Sequence, residues 1–166
     1  IQGIMQLASR MYSNPKDILI EVNKQIYEGI ERKSFVTMIV ALFDFEKNKV
    51  TICRAGHNKP IISIDNDVKL LDSTGIGLGL EKGNIFDTNL KESIIDFGKE
   101  NLFVFYSDGL TETMNDKYQE YGENNLLNFV KNNLSLSPDE LKISLLEDLY
   151  SFKNSIESHD DLTLVI

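Results

Sequence analysis

Three acidic side chains stand where this chain could do chemistry. Asp108 follows the run Leu102–Tyr106 in the stretch NLFVFYSDGLTE, and Asp160 with Asp161 precedes the closing run LTLVI. Five consecutive large apolar or aromatic residues bounded by turn formers predict a strand buried on both faces. A rigid strand that delivers a carboxylate into a Gly-assisted turn is a common support for a metal or acid–base site. If the two strands are antiparallel neighbours, the end of the first meets the start of the second. Asp108 and Asp160 would then face each other, and two uncompensated carboxylates that close together raise one pKa. Divalent cations remove that repulsion, and hard oxygen donors favour Mg²⁺ or Mn²⁺. The plainer alternatives are a Ser-Asp-Gly turn that only ends one strand and an Asp-Asp turn that only caps the other. The residues alone leave both open.

The elements that must position these side chains follow from periodicity. Ile1, Ile4, Met5, Ala8 and Met11 recur at helical spacing over residues 1–12. Pro15 suits the first turn of a second helix, with Asn14 as its N-cap and Asp17 at its positive end. Ile18, Leu19, Val22, Ile26 and Ile30 form the apolar stripe of that helix. From Phe35 the period changes to β-rich, and the polar turn 46–49 predicts a hairpin with Val50–Ala55. Gly56–Pro60 breaks the pattern before Ile61–Ile64, the turn 65–67 and Val68–Leu71. Short connections predict an antiparallel meander, and the lack of βαβ alternation argues against a doubly wound sheet. Residues 72–84, with GIGLG, lack the third glycine, the following helix and the acidic residue of a dinucleotide site, and predict a flexible loop. Residues 85–97 are weaker strand candidates. A helix is expected over 123–134. A second is expected from the capping box Ser137-Pro138-Asp139-Glu140 to Ser155.

Composition narrows the function classes. The chain has 166 residues, 42% hydrophobic and 26% charged, enough for one domain over residues 1–166. The net charge is 17 − 26 = −9, which argues against nucleic acid and anionic lipid as partners. The lone Cys53, between strand-like residues in TICRA, reads as a small core residue in a reducing, cytoplasmic compartment. Ile1 already lies in a helical pattern, so a piece of a longer chain is expected.

Four segments together, NLFVFYSDGLTE, AGHNKP at 55–60, FVTMIVALFD at 35–44 and DDLTLVI at 160–166, resemble the metal-dependent protein phosphatases of type 2C. The resemblance is to the bacterial branch of the stage II sporulation phosphatase and the stress sigma-factor regulator phosphatases. Ser13–Gly29, with ILIEVNKQI, is similar to that branch as well. The likeness covers nearly the whole chain in the expected order. It implies an α+β fold, an α/β/β/α sandwich of two antiparallel sheets flanked by helices. It also implies hydrolysis of phosphoserine or phosphothreonine by water held between two Mn²⁺ or Mg²⁺ ions about 4 Å apart. The implied substrate is a phosphorylated anti-sigma-factor antagonist or a similar partner-switching protein.

Residue by residue, the resemblance makes Asp108 and Asp160 the metal ligands through which catalysis runs, with no protein nucleophile. Glu112 matches a position that in some relatives helps hold a weak third metal. Gly109 shapes the turn, and Asp161 stands where many relatives have Asn and orients the site. His57 in AGHN falls near another metal-binding position; read from its residues alone, it is a turn histidine making local hydrogen bonds. Gly77 stands where relatives often have Pro. The family's Asp-x-x-Gly-x-Gly element, whose Asp bridges both metals, has no counterpart before Asp17. An N-terminally truncated domain of weak or no activity is therefore expected, with an exposed sheet edge open to pairing with a second copy. The alternative function is a non-catalytic docking module of the same fold.

Overall fold

The apolar spacing at the start of the chain forms two helices, α1 (Gln2–Met11) and α2 (Pro15–Gly29). The computed structural model describes residues 1–29, 34–154 and 161–166. Asn14 caps α2: its Oδ1 accepts from the backbone N–H groups of Lys16 and Asp17 at 2.9 and 3.1 Å. Packing divides the chain into two compact units, Ile1–His57 with Asp72–Gly98, and Asn58–Leu71 with Lys99–Ile166.

In the first unit, β1 (Met38–Asp44) and β2 (Lys49–Ala55) make the expected antiparallel hairpin, in register from Met38 opposite Ala55 to Asp44 opposite Lys49. Asp44 holds the turn by accepting from the N–H of Lys47 at 2.9 Å. The third strand, β5 (Glu92–Asp96), pairs antiparallel with β2, giving the order β1-β2-β5. Ile18, Leu19, Val22 and Ile26 of α2 are buried with Ala8, Cys53, Ala55, Leu78, Phe86 and Leu90. Each large side chain removed from water in this way contributes about 1.5–3 kcal/mol. Glu92 ties β5 to the start of α2 by accepting from Asn14 Nδ2 and from the N–H of Lys16, both at 3.2 Å.

In the second unit, β3 (Ile61–Ile64) and β4 (Asp67–Leu70) form a hairpin whose two-residue loop places Asp65 and Asn66 at φ 51° and 64°. Asx residues tolerate that left-handed geometry, which matches the twist of the flanking strands. β3 also pairs with β6 (Leu102–Tyr106), and β6 with β7 (Leu164–Val165), for the order β4-β3-β6-β7. β6 thus runs between two neighbours, and Phe103, Val104 and Tyr106 of its apolar run are buried. Its core joins Ile61, Val104, Tyr106 and Leu110 to Leu126 and Val130 of α5 (Gly122–Asn132) and to Leu145 and Leu149 of α6 (Pro138–Lys153). The capping box forms as expected: Ser137 accepts from the N–H of Glu140, whose carboxylate accepts from the N–H of Ser137.

Three expectations need correction. The strands are not one meander: β2 pairs with β5 rather than β3, because the break at Gly56–Pro60 carries the chain into a different sheet. Within 85–97, only Glu92–Asp96 is a strand. Asn84–Asn89 is the short helix α3, which buries Phe86 and is followed by the buried Leu90. The glycine-rich segment is pinned rather than flexible. Leu78 is buried and exchanges backbone hydrogen bonds with Val36, and the N–H of Gly79 donates to Asn23 Oδ1 at 2.8 Å.

Candidate active site

The end of β6 and the start of β7 meet. The ladder pairs Phe105 with Val165 and Tyr106 with Leu164, and then continues as the N–H of Ser107 donates to the carbonyl of Thr163 at 3.0 Å. The Ser107 hydroxyl extends the junction in both senses. It donates to the carbonyl of Asp161 at 3.2 Å and accepts from the N–H of Thr163 at 2.9 Å. The premise that these two strands are antiparallel neighbours therefore holds. Asp160, one residue beyond Asp161, lies outside the described residues, as does His159.

After Ser107 the chain turns into one helical turn, α4 (Asp108–Thr111). Gly109, Leu110 and Thr111 are buried and anchor it. The N–H of Glu112 closes it on the carbonyl of Asp108 at 2.8 Å, and the Thr113 hydroxyl adds a bond to the Gly109 carbonyl at 2.7 Å. The Asp108 carboxylate is exposed, and its Oδ1 accepts from the N–H of Gly109 at 3.0 Å. Glu112 is exposed one turn later, the spacing that places two side chains on one helical face. The exposed Asp161 reaches this end of the sheet through its backbone.

His57 belongs to the first unit. Its Nδ1 lies 3.1 Å from Thr37 Oγ1, and its carbonyl accepts from the guanidinium of Arg54. Arg54 also bonds the carbonyl and hydroxyl of Ser73, each at 3.2 Å from Nε. Around this turn two glycines are sterically required. Gly56 has φ 70°, and a Cβ there would lie 2.8 Å from the backbone of Gly77; a Cβ on Gly75 would lie 1.7 Å from the carbonyl oxygen of Arg54. Asn23 completes the support. It is 1% exposed, donates to the carbonyl of Glu81 at 2.8 Å and accepts from Gly79.

Neither Arg54 nor Asn23 was singled out from the sequence as a functional or supporting residue. The available signals were an arginine inside the apolar run TICRA and an amide on the apolar stripe of α2. Among the described residues, no three His, Cys, Asp or Glu side chains gather where they could hold a metal ion. In kind, the donors at the end of β6 suit a hard divalent cation, since Asp108 and Glu112 offer only carboxylate oxygens.

Two antiparallel sheets with flanking helices, and an acid where the buried strand of one sheet ends, define the type 2C phosphatase fold. The SiaA-PP2C domain of Pseudomonas aeruginosa superposes with a TM-score of 0.82 at 14% identity, over 98% of this chain and 64% of that one. The phosphatase domain of the cell fate determinant SpoIIE from Bacillus subtilis, in a crystal presoaked with manganese, gives a TM-score of 0.65 at 17% identity. That match covers 98% of this chain and 71% of that one. This chain belongs to the stage II sporulation protein E (SpoIIE) family, whose description matches residues 1–166. It is 24% identical over 156 residues to the phosphoserine phosphatase RsbU of Bacillus subtilis, over 92% of this chain and 44% of that protein. The chain thus spans less than half the length of that curated relative. No described helix is long and apolar enough to cross a membrane.

Proposed function

We propose that residues 1–166 act as one phosphatase-type domain that hydrolyses phosphoserine or phosphothreonine on a regulatory protein of the anti-sigma-factor antagonist type. The observation that carries the reading is the β6–β7 junction, where Ser107 locks the strand bearing Asp108 to the backbone of Asp161. Membership of the SpoIIE family supports the same chemistry. Asp108 and Asp160 would hold the divalent cation, Mn²⁺ or Mg²⁺, with Glu112 assisting. A bound cation supplies water activation and shields the phosphoryl charge, which also offsets the acidity of the chain.

The protein's own part is positioning. Buried Leu110 and the single turn α4 fix where Asp108 stands. The N–H of Gly109 occupies Asp108 Oδ1 and orients the carboxylate. The Ser107 hydroxyl holds the backbone of Asp161 and Thr163 and so sets the register of β7.

The test is turnover of a phosphoserine peptide with Mn²⁺, alongside calorimetric titration of Mn²⁺, for wild type and Asp108→Asn. Loss of a carboxylate that holds the cation costs about 10²-fold or more in rate. Unchanged Mn²⁺ affinity in Asp108→Asn would defeat the assignment.

A further inference from the structure

An open groove of about 520 Å³ lies between α5 and α6. Tyr121, Asn125 and Phe129 line it from the start and body of α5 at four-residue spacing; Asp148, Ser151 and Phe152 line it from α6. Tyr121 and Phe152 meet edge to face with ring centroids 5.3 Å apart. The Tyr121 hydroxyl donates to Asp148 Oδ2 at 2.6 Å. Asn125 donates its amide to the Tyr121 carbonyl at 2.7 Å, and Ser151 donates its hydroxyl to the Glu147 carbonyl at 2.8 Å.

The Tyr121 and Ser151 hydroxyls and one N–H of the Asn125 amide are therefore already bonded within the chain. What the groove still presents is acceptor capacity, chiefly the second oxygen of the exposed Asp148, beside the partly exposed rings of Phe129 and Phe152; Tyr121 is buried. No Lys or Arg lines it, and among the described residues none pairs with Asp148. A wholly apolar occupant would strip water from that carboxylate and return no hydrogen bond. A flat or extended cation meets both demands, its charge on the carboxylate and its stem or face against the rings.

We propose that the α5–α6 groove is a docking site for a basic side chain, arginine or lysine, of a partner protein. The net charge of −9 favours approach of such a partner. This site is independent of the phosphatase reading and requires no metal.

The test is an NMR titration of the chain with acetyl-arginine amide, acetyl-lysine amide, acetyl-norleucine amide and putrescine, following the ring signals of Tyr121, Phe129 and Phe152. The expected result is saturable shifts of these rings with the two blocked basic residues and none with norleucine. Affinity should fall roughly threefold to fivefold in Asp148→Asn, the range of an exposed ion pair, and weaken with added salt. Asparagine at 148 still accepts the Tyr121 hydroxyl, so the variant keeps its fold; Phe152→Leu should weaken binding independently. Norleucine binding as tightly as arginine would overturn the proposal, as would unaltered affinity in Asp148→Asn. Putrescine binding without the blocked amino acids would overturn the protein origin of the cation, and silence of all three rings would overturn the site.

Discussion

Replacing Asn23 with leucine should destabilise the first unit measurably while leaving Asp108 and its surroundings untouched. Asn23 is 1% exposed and serves two backbone groups at 2.8 Å, the N–H of Gly79 and the carbonyl of Glu81. Leucine, similar in branching but bulkier, fills the space and abandons both. A buried polar group left without a partner costs about 1–3 kcal/mol. Glu81 is an exposed residue, so its carbonyl recovers water, and the half-buried Gly79 N–H bears the larger share. The sum is about 2–4 kcal/mol. For a chain of this size that lowers Tm by roughly 5–15 °C. Asn23→Asp keeps the acceptor for Gly79 but buries a carboxylate against the Glu81 carbonyl oxygen, so at neutral pH it should destabilise at least as much as leucine. The assay is urea and thermal unfolding combined with amide hydrogen exchange. A Gly79 amide that exchanges equally slowly in wild type and Asn23→Leu would refute the reasoning, because the protection is assigned to Asn23 alone.

Gly75→Ala should destabilise by about 3 kcal/mol or more, seen in urea midpoints, since its Cβ would sit 1.7 Å from the Arg54 carbonyl oxygen and only backbone movement relieves that. Asp108→Asn should leave Tm in apo protein nearly unchanged, as the side chain is exposed, yet abolish any rise in Tm on adding Mn²⁺. Burial, then the charge of Glu123, holds the Tyr106 hydroxyl well above its ordinary pKa; burial, then the bond to Asp148, does the same for Tyr121. Their stabilising contribution is complete below the unfolded tyrosine value near pH 10 and is lost as pH rises beyond it. Replacing both with phenylalanine should flatten the alkaline fall in unfolding free energy. Burial pushes the Cys53 thiol up to about 11, so a disulfide reagent at pH 8 should react with it only after unfolding.

Where residues repeat with a clear period or carry a cap, the sequence foretold the structure well. The stripe of α2 from Ile18 to Ile26, the Asn14 cap, the Ser137 capping box and the β1–β2 hairpin all form as expected, because each is decided by neighbours in the chain; Ile30, the last residue of that stripe, lies outside the described residues. The run LFVFY likewise announced a buried strand, and Phe103, Val104 and Tyr106 are buried. Sheet membership was not legible, since β3 follows β2 by six residues and pairing between distant strands leaves no local trace. Phe86 illustrates a different failure: one buried aromatic in a weakly patterned stretch turns 84–89 into a helix through packing alone. At the candidate site, Ser-Asp-Gly after a buried strand drew attention to Asp108, and the pairing of β6 with β7 agrees with the geometry that the motif demanded. The role of Ser107 stayed hidden, because a hydroxyl that bridges two strands looks from sequence like any turn serine.

The strand order also shapes how the chain can acquire its structure. Each unit is assembled from two separated stretches, so the β3–β4 hairpin leaves the ribosome before β5 has been made to finish the earlier sheet. The hairpin in turn waits for β6, some thirty residues further on, before its own sheet can grow. Neither half can be excised as a continuous polypeptide, and a protease nick near residue 72 should loosen both rather than release one intact.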